Sequence, residues 1–483
     1  MLEYGFLAPA MFAGLILFLL IGFPVTFSLS ALGLFFGAIA IEIGYFDLAF
    51  LHALPYRIFG IVSNELLLAI PFFTFMGVIL ERSGLAEDLL EGVGQAFGSV
   101  PGGLAYAVIF VGAILGAITG TVAASVIAMG MISLPIMMKY GYDMKIGTGV
   151  IAASGTITQV IPPSLVLIVL ADQLKVSVGD MYMGAIGPSI LQVALFTLFI
   201  FLVATFRPNL VPPLPPEART LRGWALAAKV AWGMIPSLAL IFLVLGTIFL
   251  GFATPTEAGA MGAVGAIVLA LMNRRFDVPL MWSAMDQTLR ITAMVVFILI
   301  GATVFSLVFI GVNGGRWIEH LLTGIPGGPI GFLIFVNIFI FFIAFFLDFF
   351  EIVFIIVPLL VPVAVALDIN LVWFGLLLCV NMQTSFMHPP FGFALFYLRG
   401  IAPPEVKSRD IYLGSIPWIG LQLILVAILI FFPESVTYFL SKDQVLDPAS
   451  INKALDALPM PDIGIEPLQG LDAPPDLGIT PAK

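Results

Sequence analysis

Apolar runs of about 20 residues, the length at which a helix spans the hydrocarbon core of a bilayer, recur along this chain from end to end. Of its 483 residues 61% are hydrophobic and 10% charged, a balance that no soluble globular domain has. The expected fold class is an all-α polytopic membrane protein. The opening "MLEYGFLAPAMFAGLILFLLIGFP" has no basic region and no small-residue cleavage pattern, so it reads as a first span and not as a removed signal peptide. The single cysteine, Cys379, excludes a disulfide framework, and three scattered histidines suggest no metal cluster. The formal charge of −10 is weighted to the end of the chain, where 433–483 hold eight acids against three lysines. That Pro-rich stretch has no sustained apolar period and reads as a poorly ordered extramembrane tail.

Two of the spans are interrupted. In "ASGTITQVIPPSLVLIVLA" (153–171) a polar run leads into Pro162–Pro163, and tandem prolines remove two backbone donors and free carbonyls at membrane depth. The same device returns at Pro389–Pro390. Pro135 to Pro162 and Pro362 to Pro389 have identical spacing, which sets Ser154 opposite Asn381, Thr158 opposite Ser385 and Thr121 opposite Asp348. Paired interrupted helices at matching places in two halves are the best sequence pointer to a secondary transporter and its binding site.

Counting elements predicts inverted repeats. Each half would hold five spans plus one re-entrant hairpin. The first half has spans near 7–22, 25–43 and 65–81, a hairpin at 101–139 tipped at Gly120–Thr121, a broken helix at 146–171 and a span at 185–206. The second has spans near 229–250, 255–273 and 287–311, a hairpin at 328–367 tipped at Asp348, a broken helix at 371–398 and a span at 413–432. The domains are then 1–206 and 229–432, joined by a cytoplasmic linker, 207–228, and followed by the tail, 433–483. Basic residues agree. Thirteen fall in one set of loops, against Arg57, Lys175 and Arg316 in the other, which makes the first set cytoplasmic and places both termini outside. Segments 44–64 and 276–290 occupy corresponding places and mix aromatic, charged and apolar residues; they read as interfacial helices or as loops with aromatic anchors.

Where two tips and two breaks meet, hydroxyls, amides and freed carbonyls suit a hard monovalent cation, and helix N-termini suit an anion. The candidates are Gly120, Thr121 and Ser125 at the first tip, and Ser154, Gly155, Thr156, Thr158, Pro162 and Pro163 at the first break. Asp348 stands at the second tip, and Asn381, Gln383, Thr384, Ser385, Pro389 and Pro390 at the second break. Asp348 is the strongest of them, since a carboxylate inside "FFIAFFLDFFEIVFIIVP" must be paired or bind a cation. Each has a plainer alternative. Membrane hydroxyls often bond back to their own helix, Asp348 or Glu351 can instead be a structural pair partner, and His388 has uses other than carrying protons. Thr254-Pro255-Thr256-Glu257 reads as a helix start. No GxxxxGK[ST] loop, HExxH or intramembrane Gly-x-Ser-x-Gly occurs, so the chain is not expected to be an enzyme and an ion gradient is the expected energy source. No nucleic-acid partner is expected.

At these residues the chain resembles a known family. "GAILGAITGTVAASVIAMGMISLPIMMKYGYDMKIGTGVIAASGTITQVIPPS", "GFATPTEAGAMGA", "FLDFFEIVFIIVPLLVPV" and "HPPFGFALFYLRGIAPPEV" resemble the large membrane subunit of tripartite ATP-independent periplasmic (TRAP) transporters, over about residues 5–433. The resemblance implies a sodium-driven importer of the bacterial inner membrane, working by an elevator motion. It also implies a small four-helix membrane subunit, a periplasmic substrate-binding protein and a small organic acid anion such as a C4-dicarboxylate or 2-oxo acid. Sodium ligands are implied at Gly120, Thr121, Ser154, Pro162, Asp348, Asn381, Thr384 and Pro389, with no other cofactor. One departure stands out: the family's Gly-Ser-Ser at the first tip is Gly120-Thr121-Val122 here, one hydroxyl fewer. Because the chain opens directly on its first span, the small subunit is expected as a separate chain. A stand-alone sodium- or proton-coupled symporter is the alternative; a channel or scaffold is the reading from another class.

Overall fold

Which residues can lie against which is decided here by helix ends and small side chains. A computed structural model describes residues 6–119, 122–389 and 392–440. Gly120, Thr121 and Pro390 lie outside the described residues, as does the tail from 441 onward.

The first half opens with α1 (Leu7–Ile21) and α2 (Val25–Glu42). Leu48–Val62, which contains α3 (Ala53–Val62), is bent by 44° from Glu65–Glu81, which contains α4 (Ala69–Glu81). After α5 (Leu85–Ala96) come the two arms of the first hairpin, α6 (Gly103–Thr119) and α7 (Val122–Lys139). The first interrupted helix follows as α8 (Met144–Thr156) and α9 (Leu165–Leu174), then the long α10 (Val178–Phe206).

The second half runs α11 (Gly223–Phe249), α12 (Pro255–Met272), α13 (Val278–Gly311) and α14 (Gly314–Thr323). Its hairpin is α15 (Gly328–Ile343), a turn at 344–348, the single turn α16 (Phe349–Glu351), a π-helical stretch Ile352–Ile356, and α17 (Val357–Ala366). The second interrupted helix is α18 (Leu371–Met382) and α19 (Phe393–Ile401), followed by α20 (Ser408–Phe431) and the short α21 (Glu434–Thr437). Among the described residues eight helices are long and apolar enough to cross a membrane, or up to ten if each of two bent pairs is one span. The protein is a multi-pass membrane protein. Large apolar side chains such as Phe27, Phe35, Phe242 and Ile338 point outward, as a lipid-facing surface requires.

Helix starts follow side-chain chemistry. Asp143 caps α8 by accepting the Lys145 and Ile146 N–H groups, at 3.0 and 3.3 Å, and Asn370 caps α18 by accepting the Trp373 N–H at 3.0 Å. These two caps share the register that sets Pro135 opposite Pro362. Thr254 and Glu257 form a reciprocal capping box at α12, the helix start read from the sequence.

Some boundaries differ from expectation. The segment 276–290 is no separate interfacial helix: Asp277 caps Leu280 at 2.7 Å and α13 runs unbroken for 34 residues. Its counterpart in the first half is a separate, bent helix. The tail does not begin at 433, because 434–440 stay helical or turned and Val436 is fully buried. Gly187 of α10 allows that docking, since a Cβ there would overlap the Ser435 carbonyl oxygen. The linker 207–228 is strapped down. Val211 O accepts the Gly102 N–H, Leu210 O the Asp143 N–H, and Gly98 O the Leu214 N–H, all within 2.9 Å.

Interhelical crossings rely on missing side chains. On α8 and α20, Gly149 faces the Gly414 carbonyl and Gly414 faces the Lys145 carbonyl, each so closely that a Cβ would overlap the oxygen. Gly149→Val is expected to destabilise the protein by about 1–3 kcal/mol or more. Thermal denaturation of the purified protein reads this directly. Gly420→Ala, where a Cβ meets nothing within 4 Å, should leave the melting temperature unmoved.

Candidate functional site

The first break begins where α8 gives way to a tight turn at Ile157–Gln159, followed by irregular backbone to Ser164 that includes a cis Pro162–Pro163 bond. Its hydroxyls bond mostly backwards. Thr156 Oγ1 donates to Ala153 O at 2.8 Å, Thr158 Oγ1 to Gly155 O at 3.1 Å, and Ser164 Oγ to Gln159 O at 2.7 Å. Ser154 differs: it is fully buried and its Oγ meets no partner among the described residues. Both arms of the first hairpin press on this turn. A Cβ on Gly112 of α6 would stand 2.8 Å from Ser154 Cβ, one on Gly116 would stand 3.0 Å from Thr158 Cα, and Gly155 leaves room for Val126 of α7. Ser125, also on α7, is fully buried.

The second break repeats the pattern. α18 tightens into a turn at Gln383–Phe386, and α19 starts only at Phe393. Thr384 Oγ1 donates to Asn381 O and Ser385 Oγ to Met382 O, both at 2.7 Å. Asn381 is held from the second hairpin: its Nδ2 donates to Asn337 O at 2.7 Å and Asn337 Oδ1 at 3.0 Å, while Asn337 Nδ2 donates to Leu333 O. The Asn381 Oδ1 acceptor is buried and has no partner among the described residues. His388 is 1% exposed, stacked on Phe345 at 4.0 Å and set edge-on to Phe341 at 4.5 Å. Pro389 is half-buried in the same break.

Asp348 is committed to its own turn. Its Oδ1 accepts the Glu351 N–H at 2.9 Å while its N–H donates to Glu351 Oε2 at 3.0 Å, a reciprocal capping box that opens α16. That capping box gives Asp348 a structural role at the start of α16.

The structure joins the two breaks through three amides that sequence reasoning did not assemble. Gln383 Oε1 accepts from Gln192 Nε2 of α10 at 2.6 Å and from Gln422 Nε2 of α20 at 3.0 Å, and Gln422 Nε2 also reaches Thr156 Oγ1 at 3.4 Å. Cys379 adds a thiol contact from α18 to Gln159 O at 3.6 Å. Thr156 and Gln383 hold the same place in the two halves, in the register that pairs Ser154 with Asn381. Gln192 and Gln422 both follow a leucine in the helix after a break. Each long helix thus reaches over to the opposite break.

Chemically, this centre is rich in oxygen. Buried and partnerless among the described residues are Ser154 Oγ, Gln159 Oε1, Asn381 Oδ1, Gln192 Oε1 and Gln422 Oε1, against Gln383 Nε2 and the His388 ring nitrogens. Hydroxyls whose protons go back to a carbonyl still offer lone pairs. Neutral oxygen donors suit a hard cation and would not hold a soft transition metal. Among the described residues no group of three or more His, Cys, Asp or Glu side chains is placed to bind a metal.

Similarity to known proteins agrees with this architecture. The chain matches the model of the "Tripartite ATP-independent periplasmic transporter, DctM component" over residues 12–435. It is 30% identical over 384 residues to a C4-dicarboxylate TRAP transporter large permease protein DctM of Pseudomonas aeruginosa, covering 79% of this chain and 88% of that protein. An isethionate TRAP transporter permease protein DctMQ of Oleidesulfovibrio alaskensis is 27% identical over 432 residues, covering 89% of this chain and 66% of the relative. Among solved structures, the YdaH transporter of Alcanivorax borkumensis superposes with a TM-score of 0.58 at 16% identity, over 80% of this chain and 87% of that one, a likeness of fold. A family match that takes in both hairpins and both breaks, on a chain whose relatives are transporter permeases, leaves one conclusion: this protein is a transport protein and belongs to the DctM component family of tripartite ATP-independent periplasmic transporters.

Proposed function

We propose that the chain is the large permease subunit of a system that imports a small organic acid anion, a C4-dicarboxylate, 2-oxo acid or similar compound, with sodium as the coupling ion. The observation that carries this reading is the pair Ser154 Oγ and Asn381 Oδ1. These are two buried oxygens without partners, at equivalent positions of two interrupted helices. Sodium is held by Ser154 and Asn381 with Thr384, Thr121 and Asp348, aided by backbone at Gly120, Pro162 and Pro389. The anion lies along Ser125, Gly155, Thr156, Thr158, Pro163, Ser385 and Pro390. The two halves form inverted repeats. Their hairpins and interrupted helices move together, as an elevator, against the remaining spans. A small four-helix membrane subunit and a periplasmic substrate-binding protein complete the system in the bacterial inner membrane, with both termini periplasmic.

The test is uptake of radiolabelled succinate and related acids into proteoliposomes under an inward sodium gradient, with and without the two partners. Uptake is expected only when sodium and both partners are present. Sodium-driven uptake by this chain alone would make it a stand-alone symporter, and downhill flux that never concentrates the acid would make it a channel.

A further inference from the structure

A partly polar cavity of about 130 Å³ lies between α3, the end of α9, α13 and the π-helical stretch with the start of α17. No residue of either break lines it. Its polar wall is Arg57, Gln173, Thr303 and Ser306, and the remainder is aliphatic and aromatic.

Three observations distinguish this wall from an ordinary packing gap. First, the two hydroxyls of this wall do not bond back one turn as Thr148, Ser189, Ser237 and Thr247 do, a freedom they share with Thr288 and Thr292 earlier on the same helix. Thr303 and Ser306 are one turn apart on α13, where i and i+3 share a face, and neither makes a hydrogen bond among the described residues. Their protons are left for the cavity they line. Second, Arg57 has no ion-pair partner among the described residues. The nearby acid Asp172 is engaged elsewhere, by Lys175 at 3.5 Å, Asn64 Nδ2 at 3.0 Å and Gln173 Nε2 at 2.8 Å. Third, that bond to Asp172 occupies the Gln173 amide nitrogen and leaves its carbonyl oxygen as an acceptor, while no acidic residue lines the cavity.

We propose that this cavity is a binding site for a small carboxylate: the Arg57 guanidinium and the Thr303 and Ser306 hydroxyls take the carboxylate, and Phe354, Ile355 and Leu359 cover its short carbon skeleton. A guanidinium with two convergent donors is the group that recognises a planar oxyanion. The volume is about four times the roughly 30 Å³ share of one water molecule. That admits a short-chain acid. No residue of either break lines the site, so its test is separate from that of sodium coupling.

Cys379 is the only cysteine and is fully buried, so the chain offers a quiet background for thiol labelling. Thr303→Cys in the full-length protein, in nanodiscs and potassium buffer, is reacted with the anionic reagent sulfonatoethyl methanethiosulfonate and with its trimethylammonium counterpart. Ser306→Cys serves as the second variant, should Thr303→Cys not fold. Adding Arg57→Gln is expected to slow the anionic reagent about tenfold, the loss of about 1.4 kcal/mol of attraction, without slowing the cationic one. Potassium succinate should protect the thiol when Arg57 is present and fail to do so in Arg57→Gln; the uncharged diamide should protect in neither. Equal anionic rates with and without Arg57, or protection by the diamide as good as by succinate, overturns the site. Since no sodium is present, a negative result here is distinct from a failure of sodium-driven uptake.

Discussion

Asn381→Leu is expected to reduce sodium-driven uptake to background, a fall on the order of a hundredfold or more, while the protein still inserts and purifies. The side chain keeps its branched shape, so α18 keeps most of its packing, but the Oδ1 that is buried without a partner disappears. Under the proposed function this oxygen is a sodium ligand, and an aliphatic side chain cannot take its place. The neighbouring Asn337→Leu makes the contrast: the ligand remains and its brace is lost, because both hydrogen bonds from Asn381 Nδ2 end on Asn337. Supporting groups of this kind typically change metal affinity by about 10–100-fold. Asn337→Leu should therefore raise the sodium concentration for half-maximal uptake by that factor and leave the rate at saturating sodium largely intact. Sodium-dependent uptake retained in Asn381→Leu would sink the assignment of this oxygen.

The second large effect concerns stability and has an unusual order. Gln383→Leu should lower stability more than replacing Gln192, Gln383 and Gln422 by leucine together. Gln383 Oε1 accepts two buried N–H groups, and all three side chains are fully buried. Removing the shared acceptor strands both donors, at about 1–3 kcal/mol each; only the long contact to Thr156 remains for Gln422. The triple variant strands neither, and replacing a whole buried polar group by apolar residues is often neutral or better. Thermal unfolding of the single and triple variants settles the order. Uptake should nevertheless stay low in the triple variant, since the two breaks would no longer be tied to each other. If the single variant proves the more stable, the amides are hydrated and the clasp is not the link between the breaks.

The hairpins and interrupted helices were legible because their signals are local. Tandem prolines and a polar run inside an apolar one each sit within a few residues, and the helices do stop at Thr156 and Met382, ahead of the two proline pairs. Gln192, Gln422 and Asn337 were passed over although each is a solitary amide in an apolar span, the same mark of expense that singled out Asp348. What they touch lies as far as 266 residues away, beyond the reach of spacing. Asp348 itself was half read. Its cost stands out in the sequence, but Asp-Phe-Phe-Glu also has the spacing of the capping box that the structure shows at Thr254–Glu257. The short helices α5 and α14 carry too few residues to announce themselves. The unbroken course of α13 depends on the Asp277 cap, where a loop had been equally reasonable.

That unbroken course has a further consequence. At about 1.5 Å per residue, the 34 residues of α13 measure about 51 Å, well beyond a hydrocarbon core of about 30 Å. The exposed Asp286–Arg290 ion pair, at 2.7 Å, marks where the excess begins. From Ile291 to Gly311 the helix is apolar and matches the core almost residue for residue, while its opening turns must stand among headgroups or water. The helix is a gauge of bilayer thickness. In lipids with longer acyl chains the charged pair is drawn toward hydrocarbon, so the activity of this protein should depend on chain length as well as on headgroup.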